Sequence, residues 1–255
     1  MRSGGVEVVL VPVKCPFCES VEIGRYGKRN GKQIYICKNK ECSHTTFPEK
    51  YTYKACEPQV KRKIFEATVN GNGTRATARI LGISKDTVTN ALKKKEHDIW
   101  QINHAYIERC KREGLEVIIV DIAEAEADEM WSFVHDKSQQ YWLWWAIDHN
   151  TGDVLAFWFG TREHSNLDEL RNLLNLHFEI EIIYADGNPA YEAITESTVI
   201  VGKKNTQRIE GLHTSLRTWC SRLVRRGIRF SKSHLMHRIA VGLVINFWFF
   251  DRLIS

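Results

Sequence analysis

The residues in this sequence best suited to chemistry are carboxylates. The stretch AEAEADEMWSFV, beginning at Ala123, places Glu124, Glu126, Asp128 and Glu129 within six positions. Read as a strand, it puts Glu124, Glu126 and Asp128 on one face and Glu129 and Trp131 on the other. Asp186 ends a second strand-like run, IEIIYAD, and strand ends in an open α/β sheet face the ligand crevice. Carboxylates gathered there repel one another and raise each other's pKa unless a cation neutralises them. Oxygen ligands alone suit Mg²⁺ or Mn²⁺, and two such ions about 4 Å apart can activate an attacking oxygen and stabilise a leaving oxygen of a phosphodiester. Asp121, in VIIVDI, competes with Asp128 for the first position, while Glu124, Glu126 and Glu129 are expected to face solvent. Glu210 is the only acidic residue from Thr198 to Phe250, and Arg208, Arg217, Arg222, Arg225, Arg226 and Arg229 surround it in sequence as candidate phosphate binders.

Cysteine supplies a second constellation. Cys15 and Cys18 in CPFC, then Cys37 and Cys42 in CKNKEC, have the spacing of a structural Zn²⁺ site, which would supply folding energy that so short a segment lacks. The second pair has the wider gap, so His44 and Cys56 remain alternative fourth ligands. Glycine-punctuated, strand-like pieces between the pairs favour a zinc ribbon over a helical finger. Disulfides are not expected in the reducing cytoplasm, the compartment implied by the absence of a signal peptide or an apolar span.

Several elements must position these groups. Pro58 opens a helical pattern that breaks at Gly71 and Gly73. TRATARILGISKDTVTNALKKK then reads as a helix-turn-helix: Thr74 caps one helix, Gly82 makes the turn and Ser84 caps a second helix running to about Lys95. In that motif Lys85, Thr87 and Asn90 face bases or phosphates, Arg75 and Arg79 contact the DNA backbone, and Val88 and Leu92 pack inward. Residues 96–114 read as a polar linker. From Leu115 the pattern becomes β, through LEVIIVDI, the acidic stretch, QYWLWWAID and GDVLAFWFG, with a hairpin turn at Asp148–Asp153. Helices and strands then alternate as far as a basic helix through Glu210, giving a mixed sheet with helices on it. Trp142, Trp144 and Trp145 are read as core, His135, His164 and His213 as surface or packed residues, and IAVGLVINFWFF from Ile239 as a buried C-terminal helix or a subunit contact.

Charge is segregated along the chain. Residues 1–115 carry 22 Lys/Arg against 12 Asp/Glu, residues 116–198 carry 3 against 17, and residues 199–255 carry 11 against 2. Basic ends suit a polyanion, and an acidic middle facing that polyanion must hold cations.

Six motifs in order, CPFC, TRATARILGIS, DEMWSFV, YADGNPAYE, KKNTQRIE and FSKSHLMH, resemble the insertion-sequence-one (IS-one) family of bacterial and archaeal transposases over nearly the whole chain. The resemblance implies an α+β multi-domain protein: a small zinc ribbon (1–57), an all-α helix-turn-helix with linker (58–114) and a ribonuclease-H-like mixed α/β catalytic domain (115–255). It implies that the first two read the element's terminal inverted repeats. It also implies a DDE triad, matched here by Asp128 of DEMW, Asp186 of YADG and Glu210 of QRIE, with Lys203, Lys204 and Arg208 beside the last. Mg²⁺ or Mn²⁺ would sit on the triad and Zn²⁺ on the cysteines. Water would attack at the transposon end, and the freed 3′-hydroxyl would then attack target DNA. DNA and further copies of the chain are the implied partners, and no membrane. Asn188 and His213 depart from the family pattern, which has Trp and Asn there. Competing readings are a DNA-binding regulator with an inactive catalytic body and a structure-specific nuclease.

Overall fold

A computed structural model describes residues 12–111 and 119–252. The chain divides into two compact units, Met1–Lys63 and Ile64–Ser255. The reading of the N-terminus as free of a signal peptide concerns residues 1–11, which lie outside the described residues.

In the first unit, β1 (Ile23–Arg29), β2 (Lys32–Cys37) and β3 (Thr46–Pro48) form an antiparallel sheet in that order. Asn30 and Gly31 both have positive φ, 50° and 77°, which the tight turn joining β1 to β2 requires. Among the described residues the buried cluster here is Cys15, Cys37 and Phe47, a small apolar core for a segment of this length. α1 (Pro58–Val69) starts with proline, whose fixed φ suits the first helical position.

In the second unit, α2 (Thr74–Leu81) and α3 (Lys85–Lys93) form the helix-turn-helix. Gly82 makes the turn at φ 64°, and the Ser84 hydroxyl accepts the Thr87 N–H at 3.0 Å. Thr74 is not the cap it was expected to be: Gly73 occupies that position with no side-chain bond, and Thr74 is the first helical residue. Val88 and Leu92 are buried, as read. Residues 96–111 do not behave as a linker. Asn103 N–H donates to Leu155 O and Phe157 N–H to Gln101 O, both at 2.9 Å, so this stretch extends the main sheet. α4 (His104–Cys110) then buries Tyr106 and Ile107.

The main sheet contains β4 (Val120–Phe133), β5 (Gln140–Asp148), β6 (Val154–Gly160), β7 (Phe178–Ala185) and β8 (Thr198–Val201). Their spatial order is β6-β5-β4-β7-β8: the first three form an antiparallel meander, and β7 and β8 run parallel to β4. The described part of LEVIIVDI and the acidic stretch belong to one strand. Residues 115–118 lie outside the described residues, and the remainder runs unbroken into the 14-residue β4. That strand is central in the sheet, and helices packed on both sides of the sheet cover its two faces.

One face packs on α4, α5 (His164–Asn175) and the turn Pro189–Ala193, with Ala125, Ala127 and Trp144 beneath them. The other packs on α6 (Gln207–Trp219) and α7 (His234–Phe249), over Met130, Leu143 and Trp145. α7 is buried on two sides: Val241, Val244 and Ile245 meet the sheet, while Met236, Ile239 and Leu243 meet α2, α3 and the part of α1 that belongs to this same unit, Ile64, Phe65 and Val69. A helix apolar all round is stable only when so enclosed, at about 1.5–3 kcal/mol per fully buried aliphatic side chain. At Gly242 an added Cβ would lie 2.8 Å from Ile99 Cγ2, so alanine there would push α7 off the segment preceding α4. Among the described residues no helix is long and apolar enough to cross a membrane.

Candidate active site

β4 and β7 run side by side to the pair Ala127 and Ala185. β7 stops there, so Asp128 and Asp186 stand next to each other at its carboxyl end. The carboxylates of Asp128, Glu129 and Asp186 each bring an oxygen within 4.8 Å of the other two. Asp121, the competitor, is exposed near the start of β4, paired with Glu179, and takes no part.

Asp128 is 8% exposed, its Oδ1 accepts the Glu129 N–H at 2.8 Å, and burial raises its pKa to about 7. The negative charges of Asp186, Glu129 and Glu210 add to that rise. Glu129 turns to the opposite face, where its Oε1 accepts from Asn188 Nδ2 at 2.8 Å and Arg162 Nη2 at 3.2 Å, and its Oε2 from the Tyr191 hydroxyl at 3.4 Å. Burial raises the Glu129 pKa, and Asp186 raises it further. Asp186 Oδ1 accepts the Asn188 N–H at 3.0 Å, and Asn188 Oδ1 the Ala190 N–H at 3.1 Å. Asn188 thus ties the loop that carries Asp186 to the side chain of Glu129.

Glu210 is exposed in the first turn of α6 and is not one of the three grouped carboxylates, although its charge acts on Asp128. α6 is fixed to the site one residue earlier. Ile209 N–H donates to Oε2 of Glu126 at 2.9 Å, and the other oxygen of Glu126 lies 2.7 Å from His149 Nδ1. Since Thr206 gives α6 no side-chain cap, the fully buried Glu126 serves as its N-terminal acceptor from the neighbouring strand. His213, also on α6, stacks on Trp145 and accepts Trp145 Nε1–H at Nε2, 2.8 Å away. Its proton is therefore on Nδ1, 3.6 Å from Asp128 Oδ2. Burial, then the charges of Arg217 and Arg225, push His213 down to about 3, so it faces Asp128 as a neutral imidazole.

The expectation that Glu126 and Glu129 face solvent is wrong: they are 0% and 8% exposed, because β4 is covered on both faces. Of the expected basic residues, Lys203, Lys204 and Arg208 are exposed at the start of α6, where Arg208 donates to Asn150 O at 2.7 Å. Arg217 and Arg225 line an open groove. Arg222 differs from the reading as a phosphate binder, since burial lowers its pKa and its Nη1 donates to Ser231 Oγ at 3.1 Å. On the helix-turn-helix Arg75, Arg79, Lys85 and Asn90 are exposed, and Thr87 is half-buried.

In the first unit the sulfurs of Cys15, Cys18, Cys37 and Cys42 lie within 4.8 Å of one another. Two of the separations are 3.9 Å (Cys15 to Cys42) and 3.6 Å (Cys18 to Cys37). Four sulfurs at about 2.3 Å from one tetrahedral ion stand about 3.8 Å apart, so the set fits Zn²⁺. The alternatives for the fourth ligand lie elsewhere: His44 stacks on Phe17, and Cys56 is exposed.

Residues 117–251 match the family model described as IS1 transposase, and residues 51–96 match that of the InsA C-terminal domain. The chain belongs to the IS1 transposase family. It joins the family's helix-turn-helix DNA-binding segment to its DDE transposase domain. The insertion element iso-IS1n protein InsB of Shigella dysenteriae is 40% identical over 121 residues, covering 47% of this chain and 92% of that one. The insertion element IS1 4 protein InsB of Escherichia coli (strain K12) is 37% identical over 134 residues, covering 52% and 77%. Among solved structures, the catalytic core domain of BIV integrase overlays with a TM-score of 0.34 at 14% identity, covering 49% of this chain and 82% of that one, too loosely to assign a fold.

Within this IS1-family chain the three grouped carboxylates are an all-oxygen, mutually repelling donor set; Arg162 pairs with Glu129, and among the described residues no Lys or Arg pairs with Asp128 or Asp186. Such a set fits the divalent metal ion that a DDE transposase family implies. The two departures from the family pattern are both accommodated: Asn188 bonds Glu129, and His213 bonds Trp145 beside Asp128.

Proposed function

We propose that the chain acts in the cytoplasm as a homo-oligomer, binding the terminal inverted repeats of its element and catalysing metal-dependent cleavage and joining of DNA strands. Asp128, Asp186 and Glu210 form the acidic triad in this reading, on a ribonuclease-H-like sheet. The observation that carries it is the convergence of Asp128 and Asp186 at the end of two parallel strands, one of them buried with its pKa raised to about 7. The antiparallel meander followed by two parallel crossover strands supports the fold.

Bound Mg²⁺ or Mn²⁺ supplies positive charge at the phosphodiester and lowers the pKa of an attacking water. Asp128 and Asp186 would hold the cation from β4 and the end of β7. Glu210, on α6, whose N-terminus Glu126 fixes, would supply the third carboxylate. Glu129 keeps the Asp186 loop in place through Asn188. His213, neutral, packs beside Asp128 with its Nδ1 3.6 Å from Oδ2 and leaves that carboxylate without a cationic partner.

Lys85, Thr87 and Asn90 enter the major groove from the start of α3, while Arg75 and Arg79 take backbone phosphates, as do Lys203, Lys204 and Arg208. Cys15, Cys18, Cys37 and Cys42 bind structural Zn²⁺ and make the first unit a zinc ribbon.

The test is joining of end DNA to a target duplex with Mg²⁺ or Mn²⁺. Asp186→Asn is expected to abolish joining and leave end binding within about two-fold, because a carboxylate facing a polyanion contributes little to its affinity. Undiminished joining by this variant removes Asp186 from the chemistry. A wild-type chain that binds ends but never cuts is a regulator, and one that cuts arbitrary DNA without joining is a nuclease.

A further inference from the structure

Between α6 and α7 the chain makes a loop whose two ends are pinned to β4. At one end Leu223 is buried and Arg222 Nη1 donates to Ser231 Oγ. At the other, Phe230 packs on Phe133 with ring centres 5.3 Å apart, and His135 N–H donates to Ser231 O at 2.8 Å. The polar groups beneath form one directed chain. Ser132 Oγ donates to Tyr141 O at 2.8 Å, so it accepts from His237 Nε2 at 3.1 Å. His237 Nδ1 then accepts from Ser231 Oγ at 3.0 Å, and Ser231 accepts from Arg222. Every member is satisfied with His237 neutral, and its burial pushes it down to about 3.

What projects between the pins is Val224–Arg229. Ile228 is 94% exposed, beside Gly227 and flanked by Arg225, Arg226 and Arg229. A groove of about 640 Å³ runs along the base of this loop, lined by Thr214, Arg217 and Thr218 of α6 and by Arg225, Arg226 and Arg229. Among its described lining residues none is acidic. Nε of Arg217 and of Arg225 are buried there without a hydrogen-bond partner, and the Arg225 guanidinium lies 4.6 Å over the Trp131 ring. The groove lies towards the acidic site: Arg217, which lines it, is one turn beyond His213 on α6, and the Asp128 charge acts on its guanidinium.

A single exposed apolar side chain is ordinary. This one stands on a loop held rigid at both ends, among arginines, above a groove with unpartnered donors. We propose that the groove takes the phosphodiester backbone of one strand of duplex DNA and that Ile228 wedges between base pairs beside it, unstacking the duplex where the strand is cut. Apolar wedges flanked by basic side chains open base steps in this way, and a loop already ordered loses less entropy in doing so. The inference rests on the reading of DNA as substrate.

The test uses the full chain and a duplex of the inverted repeat with 2-aminopurine at its terminal steps, bound in Ca²⁺ and then given Mg²⁺. Binding of wild type should brighten the probe. Ile228→Ala should abolish the brightening, keep end affinity within about three-fold, and slow joining of paired ends about ten-fold or more. On ends already mismatched at those steps the same variant should join within about two-fold of wild type, and Ile228→Leu should behave as wild type on both. Replacing both Arg226 and Arg229 by Ala should lower affinity and reduce the salt slope by about two. Unchanged brightening with Ile228→Ala, or equal loss on paired and mismatched ends, overturns the wedge. A wild-type chain that brightens the probe but never cuts overturns the catalytic reading and leaves the wedge standing, and one that binds no end DNA overturns both.

Discussion

Replacing Asp128 by Asn should make the metal-free protein more stable while destroying its activity. Asn is nearly isosteric, and its Oδ1 can still accept the Glu129 N–H, so the change removes charge and little else. In the folded chain Asp128 titrates at about 7, raised by burial and by Asp186, Glu129 and Glu210. In the unfolded chain it titrates at about 4. A raised folded pKa means that unfolding releases a proton, so this group costs nothing below about pH 4, and stability falls as pH rises towards 7. At about 1.4 kcal/mol for each pH unit between those values, the full cost near pH 8 is about 4 kcal/mol. Water reaching the open end of the site reduces this to about 2 kcal/mol, which in a unit of this size corresponds to a Tm increase of about 4–8 °C. Thermal melts with chelator near pH 8 and near pH 4 test it: the variant should melt higher at the first and with wild type at the second. Added Mg²⁺ should raise the wild-type Tm near pH 8 and leave the variant unmoved. If the variant melts at or below wild type near pH 8, Asp128 is not held as a strained, buried anion, and the account of why metal binds there is wrong.

Substitutions at four further residues separate the roles of the acids and the thiols. Glu126→Ala leaves Ile209 N–H and His149 without their acceptor and should cost about 2–4 kcal/mol in denaturant unfolding, whereas Glu126→Gln keeps the helix acceptor and should recover at least half of that loss. If both variants are as stable as wild type, Glu126 does not anchor α6. Glu210→Gln should leave the Tm within about 2 °C while abolishing joining, because its side chain is exposed; Glu129→Gln, inside a network of Arg162, Asn188 and Tyr191, should lower the Tm as well. Joining by Glu210→Gln at the wild-type rate would shift the third metal ligand from α6 to Glu129. Cys18→Ser should remove the Zn²⁺ that wild type holds and reduce end binding, read by metal analysis of the purified chain and by gel shift. Full zinc content in that variant would refute the four-thiolate site.

What could be read from residue order is what depends on short-range geometry. Gly82 before Ser84 announces a left-handed turn and a capped helix, and both are present at those positions. The alternation in β4 is likewise local, and it correctly separates Glu126 and Asp128 from Glu129. The burial of those acids was not legible, because it depends on what packs on the two faces of β4: α6 over Glu126 and the loop carrying Asn188 and Tyr191 over Glu129, both more than fifty residues further along the chain. The segment 96–111 hid for a related reason. Its charged residues are visible, but the long-range partners are not: Ile102 bridges to Ala156, Asn103 bonds the carbonyls of Leu155 and Val154, and the Tyr106 hydroxyl donates to Asp148.

The same distinction explains how the site holds its acids. Asp128 and Glu129 are adjacent in sequence, and alternation sends them to opposite faces of β4, each with a different supporting set. Glu129 meets Arg162, Asn188 and Tyr191 and is anchored as part of the fold. Asp128 meets a neutral imidazole and a single backbone N–H, too little to offset its burial, and so keeps an unmet demand for positive charge. Two carboxylates one residue apart thereby acquire opposite tasks, one structural and one poised for a cation, through no chemical difference beyond the face each occupies.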